Sequence, residues 1–229
     1  MVDLKQTYLI DKSSEKRFEN DHYPTPPIAT YSFLKEFRSS AYFGRILEPC
    51  SGTGWMAKEL FNNGHRVKAF DLYPYDRYLV DTHIGYDVFS HNPDDYDSLI
   101  TNPPYRDDMP FKIAEWAVPR FNMVAMFLRI NFLEGIKRYD FFKKYPPAFI
   151  YTMSNRHSHV FENDILENQF KGMMFYMWVV WDNRADRKYA TIWHPILSKS
   201  YFEEWKKDSY PKYIYSEENP TIRYIGQAI

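Results

Sequence analysis

The run Asn102-Pro103-Pro104-Tyr105 carries groups suited to gripping a planar amino group. An amino nitrogen attached to an aromatic ring is a poor nucleophile, because its lone pair is delocalised into the ring. The side-chain oxygen of Asn102 and the backbone carbonyl of Pro103 can each accept one of the two amino hydrogens, which turns the lone pair toward an electrophile such as an activated methyl. Asn cannot act as a base, and none is needed, since the surplus proton leaves after transfer. The tandem prolines stiffen the run, and Tyr105 offers a face on which a flat base can stack, a contact of about 1–3 kcal/mol.

A second constellation precedes it. Glu48-Pro49-Cys50-Ser51-Gly52-Thr53-Gly54 follows an apolar strand and opens a helix, the place where glycines let a nucleotide-like ligand approach the backbone. Asp71, with Leu72 after it, closes the next strand about twenty residues on, the separation at which a carboxylate accepts hydrogen bonds from ribose hydroxyls. Gly52-Thr53-Gly54-Trp55-Met56-Ala57 with Asp71 also satisfies a dinucleotide pattern, so an NAD-dependent enzyme is a competing reading. Two details favour S-adenosylmethionine as the cofactor. Trp55 crowds the helix start, and Glu48 would repel a pyrophosphate yet suits an ammonium group. Further on, Asp87-Val88-Phe89 offers a carboxylate for an adenine amino group and an aromatic face for its ring, although a plain loop Asp and a core Phe read equally well.

These groups need a scaffold. Short apolar runs alternate with helix-like stretches, the pattern of parallel βαβ units. Strands are expected at Arg45 to Glu48, Arg66 to Phe70, Ile84 to Val88, Asp97 to Thr101 and Met123 to Leu128, with Ala148 to Met153 and Phe175 to Trp181 as a final antiparallel pair and Lys188 to Trp193 as an edge. Helices are expected from Gly54 to Asn63, over Phe111 to Val118, and over Phe132 to Lys144, where Pro146-Pro147 stops the chain. At 229 residues and 45% hydrophobic composition the chain suits one α/β domain, with an N-terminal extension over 1–20 and a C-terminal tail over 200–229 that carries no readable motif. One cysteine excludes an internal disulfide framework, and no Cys/His spacing suggests a metal site. The polar first residues and the lack of a long apolar run predict a soluble, cytoplasmic protein.

With these features the sequence resembles the amino-methyltransferases, and within them the small N6-adenine DNA methyltransferases carried by phages and prophages. The resemblance runs from about Tyr23 to Trp193. Tyr23-Pro24-Thr25-Pro26 is similar to the N-terminal motif of that family, whose Thr-Pro pair lines the methionine end of the cofactor. Leu128-Arg129-Ile130-Asn131-Phe132-Leu133-Glu134-Gly135, Pro146-Pro147 and Ser154-Asn155-Arg156 before a Trp-rich strand are similar to the phage group. The resemblance implies a Rossmann-like class I fold, with a mixed seven-stranded sheet, helices on both faces, and the last strand antiparallel beside the fifth. Cys50 stands where the family often has a smaller residue. Either Phe161 or His157 is a candidate for the far side of a flipped base.

The net charge of −1 gives no global case for nucleic acid, but the charge is unevenly spread. Arg129, Lys137, Arg138, Lys143, Lys144 and Arg156 form a basic stretch after the fifth strand, expected either to touch DNA phosphates or to be a solvated face. With no large recognition domain, this stretch and the polar loop from Ser154 to Gly172 would have to read the target. The expected activity is methyl transfer to N6 of adenine in DNA. Enzymes that methylate ribosomal RNA bases or protein glutamine carry the same tetrapeptide and remain open as alternatives, as does a binding protein without activity.

Overall fold

The apolar runs assemble into one sheet whose strands, among the described residues, are β1 (Arg45–Glu48), β2 (Arg66–Asp71), β3 (Thr82–Ile84), β4 (Ser98–Thr101), β5 (Met123–Arg129), β6 (Phe149–Met153), β7 (Tyr176–Asp182) and β8 (Ile192–Ile196). Their order across the sheet is 3-2-1-4-5-7-6-8. The first five run parallel, β7 lies antiparallel between β5 and β6, and β8 runs parallel to β6. The computed structural model describes residues 22–37, 42–157, 170, 174–184, 191–213 and 223–224. The extension over 1–20, Phe161, and most of the Ser154 to Gly172 loop lie outside the described residues.

β5 explains why the sheet forms. Its alternate residues Met123, Ala125 and Phe127 face one core cluster, while Val124, Met126 and Leu128 face the other. A strand covered on both sides must be apolar throughout, which is why this one reads as an unbroken hydrophobic run. The first face is covered by α1 (Pro27–Glu36) and α2 (Trp55–Asn62), and the second by α3 (Met109–Ala117) and α4 (Tyr139–Lys144). α1 was not expected from the sequence. Eight of its ten residues are buried, so it has no broad polar face to give a helical period. Its Phe33 stacks on Trp178 at 4.3 Å, and the Trp178 indole donates to the Ala29 carbonyl at 3.2 Å.

Four expectations need correction. The edge strand expected over Lys188 to Trp193 forms over Ile192–Ile196, beside β6, and brings the sheet to eight strands among the described residues. The third strand stops at Ile84, and Asp87 instead caps a short turn by accepting from the Phe89 amide at 2.9 Å. The helix expected over Phe132 to Lys144 survives only as α4; Gly135, at φ +105°, breaks what precedes it into two 3-10 turns. The motif-free C-terminal region contains α5 (Phe202–Asp208), whose Trp205 is fully buried against Ile28, Tyr31, Trp55 and Leu79.

Candidate active site

β4 delivers Asn102 to the carboxyl end of the sheet, beside the segment that leads into α1. The Asn102 amide nitrogen donates to the Tyr23 carbonyl at 3.2 Å and to the Thr25 hydroxyl at 3.0 Å. A carbonyl only accepts, so these bonds fix which way the amide is turned and leave its oxygen as the outward acceptor. The one Tyr105 hydroxyl proton is shared between that oxygen, at 3.3 Å, and the Phe127 carbonyl, at 3.4 Å. An oxygen with two lone pairs keeps one for a further donor. The Arg129 guanidinium lies 4.6 Å over the Tyr105 ring. Tyr105 therefore braces Asn102, and it does not line the cavity next to it. Burial pushes the Tyr105 phenol up, so it stays a donor.

That cavity is lined by Tyr23, Pro24 and Thr25, by Glu48 to Gly52, by Asp71 and Leu72, by Asp87 and Val88, and by Asn102 to Pro104. The amides of the glycine turn beneath it are satisfied by β2 and by the turn itself. Ser51 N–H donates to the Phe70 carbonyl at 2.9 Å, Gly52 N–H to the Asp71 carboxylate at 2.7 Å, and Gly54 N–H to the Ser51 carbonyl at 2.9 Å. Asp71 also accepts from the Tyr73 amide at 2.9 Å, so it clamps the turn as well as facing the cavity. Gly52 sits at φ +55°, and a Cβ there would meet the His22 ring at 2.6 Å. This is a close approach that only glycine permits.

The electrostatics are unusual at one point. Glu48 is buried at the end of β1, and its Oε2 has no hydrogen-bond partner. Burial pushes its carboxyl well above the usual range, the Asp71 charge adds to this, and an Ala57 backbone contact opposes it. The Ser51 hydroxyl nearby is also buried and unpartnered. Burial likewise raises Asp71, against hydrogen bonds from Tyr73, Gly52 and Leu72, and lowers His22 to about 4, leaving it neutral at pH 7.

No protein-family model matches the sequence, and no curated protein matches it. Solved structures do. A protein of Listeria monocytogenes described as a class I S-adenosylmethionine-dependent methyltransferase superposes with a TM-score of 0.56 at 13% identity, over 85% of this chain and 71% of that one. The methyltransferase subunit of a type I restriction-modification system from Streptococcus thermophilus gives 0.51 at 10% identity, over 85% of this chain and 54% of that one. The fold is that of the class I methyltransferases.

Several expected residues lie elsewhere in this class I fold. Pro26 caps α1, and Gly54 packs against Leu79 and Val80. Phe89 turns away from the cavity with its edge on Trp116 at 6.0 Å; of the nearby aromatics it is Tyr86 that lines the space. His157 is interior, with Nε2 3.1 Å from the Ser198 hydroxyl, so it is not available to a flipped base. The sequence reading missed His22, Trp55, Met56, Tyr73, Tyr75, Tyr86 and Met109 in the lining. The Tyr73-Pro74-Tyr75 cluster, which begins two residues after Asp71, is the one signal that points there.

The basic stretch divides in two. Lys137, Lys143, Lys144 and Arg156 are exposed, with the Arg156 guanidinium 4.6 Å over the Phe175 ring. Arg138 is not a free cation. It donates to the carbonyls of Phe132 and Glu134, both at 3.1 Å, and forms a 2.7 Å ion pair with Asp108. Arg129, half-buried, lies over the Tyr105 ring. Arg138, expected as a phosphate contact, holds the protein's own loops.

Proposed function

We propose that the protein transfers a methyl group from S-adenosylmethionine to the N6 amino group of adenine in DNA. The single observation that carries this reading is the Asn102 amide, locked in the wall of the cavity that Glu48, Asp71 and Asp87 also line. The donor set suits the cofactor. The unpartnered Glu48 oxygen and Ser51 hydroxyl, both buried in the lining, match an ammonium group, which a carboxylate in a low-dielectric site strongly favours. Asp71 retains lone pairs for ribose hydroxyls, and Asp87 can accept from an adenine amino group. When bound, S-adenosylmethionine supplies the electrophilic methyl. The same turn argues against a dinucleotide, because the Ser51, Gly52 and Gly54 amides are spent on protein acceptors rather than free for a pyrophosphate.

In the transfer, Asn102 Oδ1 and the Pro103 carbonyl hold the two amino hydrogens, and Tyr105 and Thr25 keep the Asn102 amide from turning. Held this way, the nitrogen would direct its lone pair at the methyl group that the bound cofactor would supply, and one amino proton would leave to water after transfer. Exposed Lys137, Lys143, Lys144 and Arg156 supply salt-dependent, sequence-independent contacts to phosphates. The test is a methyl-transfer assay on unmethylated DNA, tRNA and a Gln-containing peptide, with calorimetry against S-adenosylmethionine and NAD. Methylated adenine in DNA and binding of S-adenosylmethionine alone are expected. Modification confined to RNA or peptide, or preference for NAD, would overturn the reading.

A further inference from the structure

Among the described residues the most exposed large apolar side chain is Ile136, 92% accessible, at the tip of the turns that follow β5. Ile130 and Leu133 on the same turns are also exposed, at 45% and 38%. Such a tip ordinarily collapses or moves; this one is held. Gly135 gives the chain its bend at φ +105°, and Arg138 draws the turn together through the carbonyls of Asn131, Phe132 and Glu134. Its second nitrogen reaches Asp108 at 2.7 Å. Asp107 and Asp108 both sit in the left-handed region, at φ +54° and +58°, a strain that non-glycine residues carry only where the surroundings enforce it. Arg106–Asp108 directly follows the Asn102 to Tyr105 loop, so the ion pair ties the apolar tip to the candidate catalytic loop.

We propose that this turn is a preorganised wedge, tipped by Ile136, that enters a nucleic-acid duplex and fills the gap left in the base stack by the extruded target. The inference rests on the reading of the site given above. Charge favours this occupant, since exposed Lys137 adjoins the tip and exposed Lys143 and Lys144 follow on α4, outnumbering the exposed acids Glu134 and Asp140, which suits a phosphate backbone beside an inserted aliphatic group. A base inside a duplex cannot reach Asn102 without leaving the stack, and an apolar side chain that takes its place offsets part of that cost.

The test begins by mapping modified adenines in DNA from a methylation-free host that expresses the protein, then building duplexes with one mapped site. The wild type is compared with Ile136→Ala and Ile136→Phe on a duplex with the target paired to thymine and on one with an abasic site opposite the target. For Ile136→Ala, kcat/KM is expected to fall roughly tenfold on the paired duplex and to change little opposite the abasic site, where extrusion is already cheap. Ile136→Phe should restore most of the loss. Equal loss on both duplexes, or none on either, would overturn the wedge while leaving the methyl-transfer reading intact. A host whose DNA stays unmodified would overturn the reading of the site, and the wedge with it. A change in oligomeric state on Ile136→Ala, read by light scattering, would assign the tip to contact between copies and also overturn it.

Discussion

Two buried glutamates, Glu48 and Glu59, sit eleven positions apart and have opposite surroundings. Glu59, on α2, is enclosed by donors. One oxygen accepts from Asn63 at 2.8 Å and Ser209 at 2.7 Å; the other accepts from Trp205 at 3.2 Å and Tyr213 at 2.6 Å. Glu48, at the end of β1, has an oxygen with no protein partner and lines a cavity. Burial raises the pKa of both, but only Glu59 has side-chain donors to offset it. A buried carboxylate answered from within the chain is architecture: Glu59 fastens the C-terminal segment onto α2. One left unanswered keeps its capacity for a ligand and costs the free protein stability.

The same substitution at the two positions should therefore act on different properties. Glu48→Gln removes the charge offered to an ammonium group, and the affinity for S-adenosylmethionine measured by calorimetry should fall roughly tenfold or more, the worth of a charge-assisted hydrogen bond. Unchanged affinity would remove Glu48 from the site. Glu59→Gln should leave that affinity alone and destabilise the fold by about 1–3 kcal/mol in a urea titration, because either orientation of the new amide sets an N–H against Trp205 Nε1 or Asn63 Nδ2. No loss of stability would show that the cluster does not bind the C-terminal segment.

A pH titration sharpens the contrast. A carboxyl whose pKa is raised on folding contributes stability that is fully present below its unfolded value, about 4.3, and lost as pH climbs through the raised value. The cofactor-free wild type should lose stability over that window in part through Glu48, and Glu48→Gln should flatten the loss. Cofactor affinity should rise across the same window, as the carboxylate ionises. An identical pH profile in wild type and variant would contradict this. The smallest effect expected is that of Lys137→Ala, which should lower the salt slope of DNA binding by about one with no change in melting. Arg138→Ala should instead lower the melting temperature, because it opens the Asp108 ion pair; equal behaviour of the two would undo the division of the basic stretch.

The sequence made most strands of the sheet legible because their signals are local: Met123–Arg129, Phe149–Met153 and Tyr176–Asp182 all form within a residue of the expected bounds. Arg45–Glu48 forms the strand at the expected bounds, and β4 ends where Pro103 and Pro104 forbid a ladder. Asn102, Glu48 and Asp71 could be picked out since each closes a strand at the same edge. What could not be read depends on partners distant in the chain. Arg138 looked like a surface cation because Asp108 lies thirty positions away, and the Phe132 to Lys144 period looked helical despite Gly135. Trp205 belonged to a motif-free tail until Glu59, 146 positions earlier, gave it a partner. α1 hid for the opposite reason, since burial nearly all round erased its period.

The most direct test of the central claim is the modified-base content of DNA from a methylation-free host expressing either the wild type or Asn102→Ala. The wild type should deposit N6-methyladenine, and the variant should deposit none while still binding S-adenosylmethionine, since it loses the acceptor used on the target. DNA left unmodified by a wild type that binds the cofactor, or modified equally by the variant, would contradict the account.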